Sequence, residues 1–133
     1  MSAFTVQTSI EGNLTDDPIL RHTSTGRAVT NMRVACTSRT RLDNGEIKET
    51  TQFLTVVCWN DFAVNAAASL HKGDRVIVSG DMKQRTYTNN DGATVYVWEL
   101  HANELGVSLR WHVVAGIEKA REALSPEFAQ ASA

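Results

Sequence analysis

The 133-residue chain contains only two cysteines, Cys36 and Cys58, with no Cys-x-x-Cys pair between them. That spacing argues against a structural zinc site. Both lie inside apolar, strand-like patterns, and no secretion-like N-terminus precedes them. They are read as reduced core residues of a cytoplasmic protein. No apolar stretch nears the ~20 residues that a membrane-spanning helix requires. The four histidines, His22, His71, His101 and His112, are scattered and form no His-Glu-x-x-His motif. A phosphate-cradling Gly-x4-Gly-Lys-Ser/Thr loop is missing, as is a recognisable nucleophile turn. Asp16, Asp17, Asp81 and Asp91 could in principle hold magnesium. However, Asp16-Asp17 before Pro18 and Asp91 before Gly92 already have turn explanations. No catalytic residue, metal or cofactor is therefore expected, and the chain reads as non-enzymatic. There is no basic excess either: 13 Lys and Arg face 15 Asp and Glu, for a net charge of −2. Bulk charge thus counts mildly against nucleic acid as a partner. A groove, though, needs local charge rather than net charge.

What is present is a single domain's worth of chain, 42% of it apolar, enough for a core without staples. Thr5–Leu14 alternates as a first strand, with a bend at Gly12. Asp16-Asp17-Pro18 breaks it, and Ile19–His22 resumes it. Ala28–Thr37 alternates as a second strand. Arg39–Lys48 reads as a charged loop with a hairpin signal at Asp43-Asn44-Gly45. Thr50–Trp59 is a third strand. The period then changes: Phe62, Ala66 and Leu70 recur every four residues, predicting a helix capped by Asn60 or Asp61. His71 and Lys72 fall in its last turn, and Gly73 stops it. Arg75–Tyr87 and Thr94–Leu105 are strands four and five, joined by a turn at Asn89–Gly92. The spacing of Val113, Ile117, Ala120 and Leu124 predicts a C-terminal helix, followed by a frayed end over Ser125–Ala133. The order β-β-β-α-β-β points to an all-β, five-stranded OB-fold barrel with one short helix between strands three and four. Residues 1–111 form that domain and 112–133 an extension.

Strand three carries too much apolar surface. Leu54, Val56 and Cys58 make one face, which suits a core. Phe53, Val57 and Trp59 make the other, which also favours burial. Rings in that position can pack a core, meet another subunit or stack on bases. Strand four bears on the choice. Its even positions, Val76, Val78, Gly80 and Met82, face a core. Lys83, Arg85 and Tyr87 project from the other side. Cations interleaved with aromatics are the recipe for single-stranded nucleic acid, where bases stack and phosphates pair. A lone aromatic on a strand is more often core, and two cations alone are an ordinary solvated face. The joint pattern is more specific than either half.

The residues then become familiar. Gly12-Asn13-Leu14-x-x-Asp17-Pro18, Gly26-x-Ala28-Val29-x-Asn31, Thr55-Val56-Val57-x-Trp59 and Leu70-x-Lys72-Gly73-Asp74-x-Val76 follow in order. Gly80-x-Met82-x-x-Arg85-x-Tyr87, Asp91-Gly92 and Tyr96-x-x-Glu99 continue the series. Together they resemble the bacterial single-stranded DNA-binding protein family, and Glu104–Trp111 looks like its actinobacterial branch. The resemblance implies an OB barrel, assembled as a homotetramer, that coats single-stranded DNA without sequence preference in replication, recombination and repair. It implies base stacking on Phe53, Trp59 and Tyr87. Phosphate contacts would come from Arg33, Arg39, Arg41, Lys48, Lys83 and Arg85. A fourth family aromatic would fall near Arg41, where none occurs. Family members finish in an acidic tip that recruits other proteins. The stretch Glu127–Ala133 carries one acid, so tail-mediated recruitment is not expected. The competing reading is a protein-interaction module, a primosome-like assembly factor with Phe53 and Trp59 buried between subunits.

Overall fold

The computed structural model describes residues 6–120. Six strands and one helix follow in the order β1 (Val6–Leu14), β2 (Ile19–His22), β3 (Ala28–Arg41), β4 (Ile47–Trp59), α1 (Asp61–Ser69), β5 (Arg75–Thr88) and β6 (Thr94–Val107). The sheet runs β1-β5-β6-β4-β3-β2, and β1 also pairs with β3. Five strands therefore close into a ring, β1-β5-β6-β4-β3, with the short β2 outside it on β3. Closure removes the long free edges that an open five-stranded sheet would leave. All strand pairs are antiparallel except β4 with β6, which runs parallel.

Period-two alternation sends Leu14, Met32, Val34, Val56, Cys58, Val76, Val78 and Leu100 to the inside of the ring. Burial of each aliphatic side chain contributes about 1.5–3 kcal/mol. Helix α1 packs on the ring's core with Ala63 and Ala66, and Leu70 joins them just past its end. Asp17 has a structural task, since its Oδ1 accepts the Lys72 backbone N–H at 2.7 Å. On β5 the even residues Val76, Val78 and Gly80 are buried as alternation requires. A bulge between Ser79 and Gly80 then shifts the register against β6. After it, the core-facing residues of β6 become the odd ones, Leu105 and Val107.

Four details differ from expectation. Arg39–Lys48 is not a loop. β3 and β4 continue outward as a hairpin closed by the Leu42–Glu46 turn. In this turn the Leu42 N–H donates to the Glu46 carbonyl at 2.7 Å, and Gly45 takes a φ of +86°. Threonines favour extended backbone, and the Thr37 and Thr51 hydroxyls meet across the strands at 2.9 Å. Asn60 precedes the helix but makes no side-chain cap; its Oδ1 accepts the Arg27 Nε–H at 3.3 Å instead. His71 and Lys72 lie beyond the helix, which ends at Ser69. Finally, Val113–Lys119 takes no regular structure. Gly116 disfavours helix there. Val113 is 97% and Ile117 91% exposed, so the apolar positions of the predicted helix bury little surface to stabilise so short a segment. The rest of the predicted helix, past Ala120, and the stretch Ser125–Ala133 lie outside the described residues.

Candidate nucleic-acid interface

The outer face of β3-β4-β6-β5 is where the second apolar face of strand β4 emerges. Pairing aligns two rows across it. One row runs Arg33, Thr55, Glu99, Lys83, and the next runs Asn31, Val57, His101, Asp81. With strands about 4.8 Å apart, this face is roughly 14 Å wide. Phe53 and Trp59 mark its length on β4, about 20 Å apart at 3.3 Å per residue. Val57, between them, is buried and forms part of the floor. Phe53 is 53% exposed and Tyr87 46%. Trp59 is half-buried.

Each ring carries an arginine. The Arg33 guanidinium lies 4.3 Å from the Phe53 ring centre, Arg27 4.3 Å from that of Trp59, and Arg85 5.8 Å from that of Tyr87. These are cation–π distances. Arg27 escaped the sequence reading because it precedes β3 and no strand period includes it.

A polar chain links Trp59 to Arg85, which lies over the Tyr87 ring. The Trp59 Nε1–H donates to His101 Nδ1 at 3.2 Å, with the two rings stacked at a 22° tilt. An acceptor at Nδ1 places the neutral imidazole's proton on Nε2. Nε2 lies 3.6 Å from Glu99 Oε1, and Glu99 Oε2 accepts the Arg85 Nε–H at 3.3 Å. Glu99 is 8% exposed, a buried acid in the middle of a cationic face. Such a group needs partners, and here it fixes Arg85 between Trp59 and Tyr87. The sequence could not reveal this chain, because it depends on the parallel β4–β6 pairing between strands separated by the whole helix and β5.

The other expected cations divide by strand parity. Arg39 and Arg41 pair with Glu49 and Ile47, on the same strand side as Phe53. Arg39 is partly neutralised by Glu49 at 3.3 Å, an exposed pair. Lys83 pairs with Glu99 on the interface side. Lys48 pairs with Thr40 and takes the opposite parity, so the register does not bring it to this face. Tyr96 and Trp98 share a side with Leu100 but extend past the end of the core and are exposed. Among the described residues, no group of three His, Cys, Asp or Glu is placed to hold a metal ion. None of their helices is long and apolar enough to cross a membrane.

The two cysteines differ in setting. Burial pushes the Cys58 thiol up to about 12. Burial also raises Cys36, against the opposing pull of the Arg75 charge.

Comparison with known proteins gives this geometry its relatives. The Single-strand binding protein family matches residues 5–108. "Single-stranded DNA-binding protein 1" of Tropheryma whipplei (strain Twist) is 45% identical over 105 residues, covering 77% of this chain and 56% of that protein. "Single-stranded DNA-binding protein 2" of Streptomyces coelicolor is 46% identical over 104 residues, covering 77% and 52%. The chain thus spans about half the length of these curated relatives. A crystal structure of a small single-stranded DNA-binding protein from Streptomyces coelicolor superposes with a TM-score of 0.68 at 28% identity, over 81% of this chain and 98% of that one. The TM-score shows that the ring shares its fold with that neighbour. With most of its length matched and actinobacterial relatives near 45% identity, this chain belongs to the single-strand binding protein family.

Proposed function

We propose that the chain binds single-stranded DNA non-enzymatically and without strong sequence preference, coating it in replication, recombination or repair. The observation that carries this reading is one face holding Phe53, Trp59 and Tyr87, each with an arginine within 6 Å of its ring centre. A base stacking on a ring takes the place of the guanidinium, and the freed cation turns to the neighbouring phosphate. Every base has a π-face, so such stacking reads little sequence. Phe53, Trp59 and Tyr87 are the platforms in this reading. Arg33, Arg39, Arg41, Lys83 and Arg85 serve the phosphates, joined by Arg27. Lys48 contributes little, because it takes the opposite parity.

Residues up to 111 carry this activity. Self-association, as a homotetramer, is part of the proposal. Leu109, Val113 and Ile117 support it, since all three are strongly exposed apolar residues along one segment. Sedimentation of the purified chain tests that part.

Titration with dT oligomers at two salt concentrations, following tryptophan emission, tests the binding itself. Emission should quench on binding, and the logarithm of affinity should fall with log salt by about 0.7 per phosphate neutralised. No quench and no binding at low salt would reject the proposal.

A further inference from the structure

Beyond Phe53, the outer surface of the ring continues around β3 to β1 and β5. Pairing places Ala35 beside Phe53, Asn13 beside Ala35, and Arg75 beside Asn13. Three strand spacings, roughly 14 Å, separate Phe53 from Arg75 along this row. At that point the surface opens into a cleft of about 440 Å³, lined by Asn13, Thr37, Arg39, Arg75, Arg110 and Trp111.

The segment after β6 is tied down here. The Ser108 N–H donates to the Arg75 carbonyl at 2.9 Å, and the Arg75 N–H donates to His112 Nε2 at 3.0 Å. Both backbone groups of Arg75 are thus taken by the segment that carries Trp111. The intervening turn separates Leu109, which lines a different groove with Val113 and Ile117, from Arg110 and Trp111. Trp111 is 68% exposed, with the Arg110 guanidinium 5.5 Å from its ring centre. This repeats the ring-plus-arginine unit of the interface already described. Acids are present too. Arg75 meets Glu11 at 3.5 Å and Arg39 meets Glu49 at 3.3 Å, while Arg75 Nη1–H donates to Asn13 Oδ1 at 3.0 Å. Arg110 makes no ion pair among the described residues.

We propose that this cleft is a second nucleic-acid subsite, continuous with the Phe53 end of the main face. Trp111 stacks one further base there, and Arg110 and Arg75 hold the adjoining phosphates. The proposal rests on the single-stranded DNA reading above. The ligand is a single-stranded polynucleotide long enough to leave the main face.

The test compares the intact chain with Trp111→Ala, Trp111→Phe and Arg110→Gln, using dT oligomers of about 5 and about 16 nucleotides, the span of site sizes for one OB fold. Trp111→Ala should weaken the long oligomer about 5- to 30-fold while changing the short one less than about twofold. Trp111→Phe should restore most of the long-oligomer affinity. Arg110→Gln should lower the salt slope by about 0.7 for the long oligomer only. Equal long-oligomer affinity in Trp111→Ala and the intact chain overturns the proposal. So does a change in sedimentation of free Trp111→Ala, which would assign the ring to self-association. Trp59→Ala separates the two readings. It should weaken both lengths; if neither length binds the intact chain both readings fail, whereas binding that is indifferent to Trp111→Ala overturns this one alone.

Discussion

Trp59 is the residue on which most of the proposed interface turns, because three parts of the chain meet at its ring. Arg27 lies over it from before β3, His101 accepts its N–H from β6, and β4 carries it. Trp59→Ala should cost about 1–3 kcal/mol of dT binding, measured by titration. His101→Phe removes the acceptor while keeping a flat ring. The indole N–H would then exchange faster with solvent, and dT affinity should fall by about 0.5–1.5 kcal/mol, the net worth of one hydrogen bond. A proton–nitrogen spectrum of the indole signals, with Trp98 and Trp111 replaced by phenylalanine, isolates the Trp59 resonance. His101→Gln retains an acceptor and should retain more of the affinity. No change in the Trp59 signal in His101→Phe would mean that the bond does not position the ring.

The β3–β4 hairpin shows what an element adds to its residues. Read as a loop, Arg39–Lys48 offers its cations in every direction. Built as paired strands, it sorts them by parity: Arg39 and Arg41 go with Phe53, Lys48 goes opposite. Arg41→Gln should therefore lower the salt slope of dT binding by about 0.7, and Lys48→Gln should leave it unchanged. Equal effects would show that the hairpin twists enough to cancel the sorting. The β5–β6 bulge is a second such element. A methyl group on Gly80 would run into the His101 carbonyl and the Ala102 backbone. Gly80→Ala should destabilise the fold by at least about 1–3 kcal/mol, the usual cost of overpacking. Its chemical denaturation midpoint checks this. Since the collision is with His101, dT affinity should fall as well.

At the scale of the whole molecule, burial within the closed ring raises both thiols, Cys58 most. Cys58 is raised to about 12 from an ordinary value of 9.0, by burial. The sign follows from linkage: below 9 neither folded nor unfolded chain ionises this thiol, so it has no effect on stability. Between about 9 and 12 the unfolded chain loses the proton and the folded one keeps it, so stability falls as pH rises. Denaturant midpoints at pH 8 and pH 10 should therefore differ, and Cys58→Ser, which has no proton to lose in that range, should shrink the difference. Cys36 is only half-buried, so an alkylating reagent should modify it before Cys58.

Much of this protein was legible in the order of its residues, for local reasons. Alternation of period two set the strands and their core faces, because neighbouring side chains on a strand point apart. A change to period four set α1. The surplus apolar side of β4, together with Lys83, Arg85 and Tyr87, marked the same side of the sheet that the structure exposes. Beyond that, local pattern carried no information. The coupling of Trp59, His101, Glu99 and Arg85 depends on β4 lying parallel to β6, which strand periodicity does not encode. The bulge that switches the core side of β6 depends on how β5 bends against it. Val113–Lys119 has helical spacing yet no helix, since a short amphipathic pattern gains stability only from a surface to pack on. Trp111 looked like the end of the domain. It became part of a cleft only because Ser108 and His112 fasten its segment to both backbone groups of Arg75.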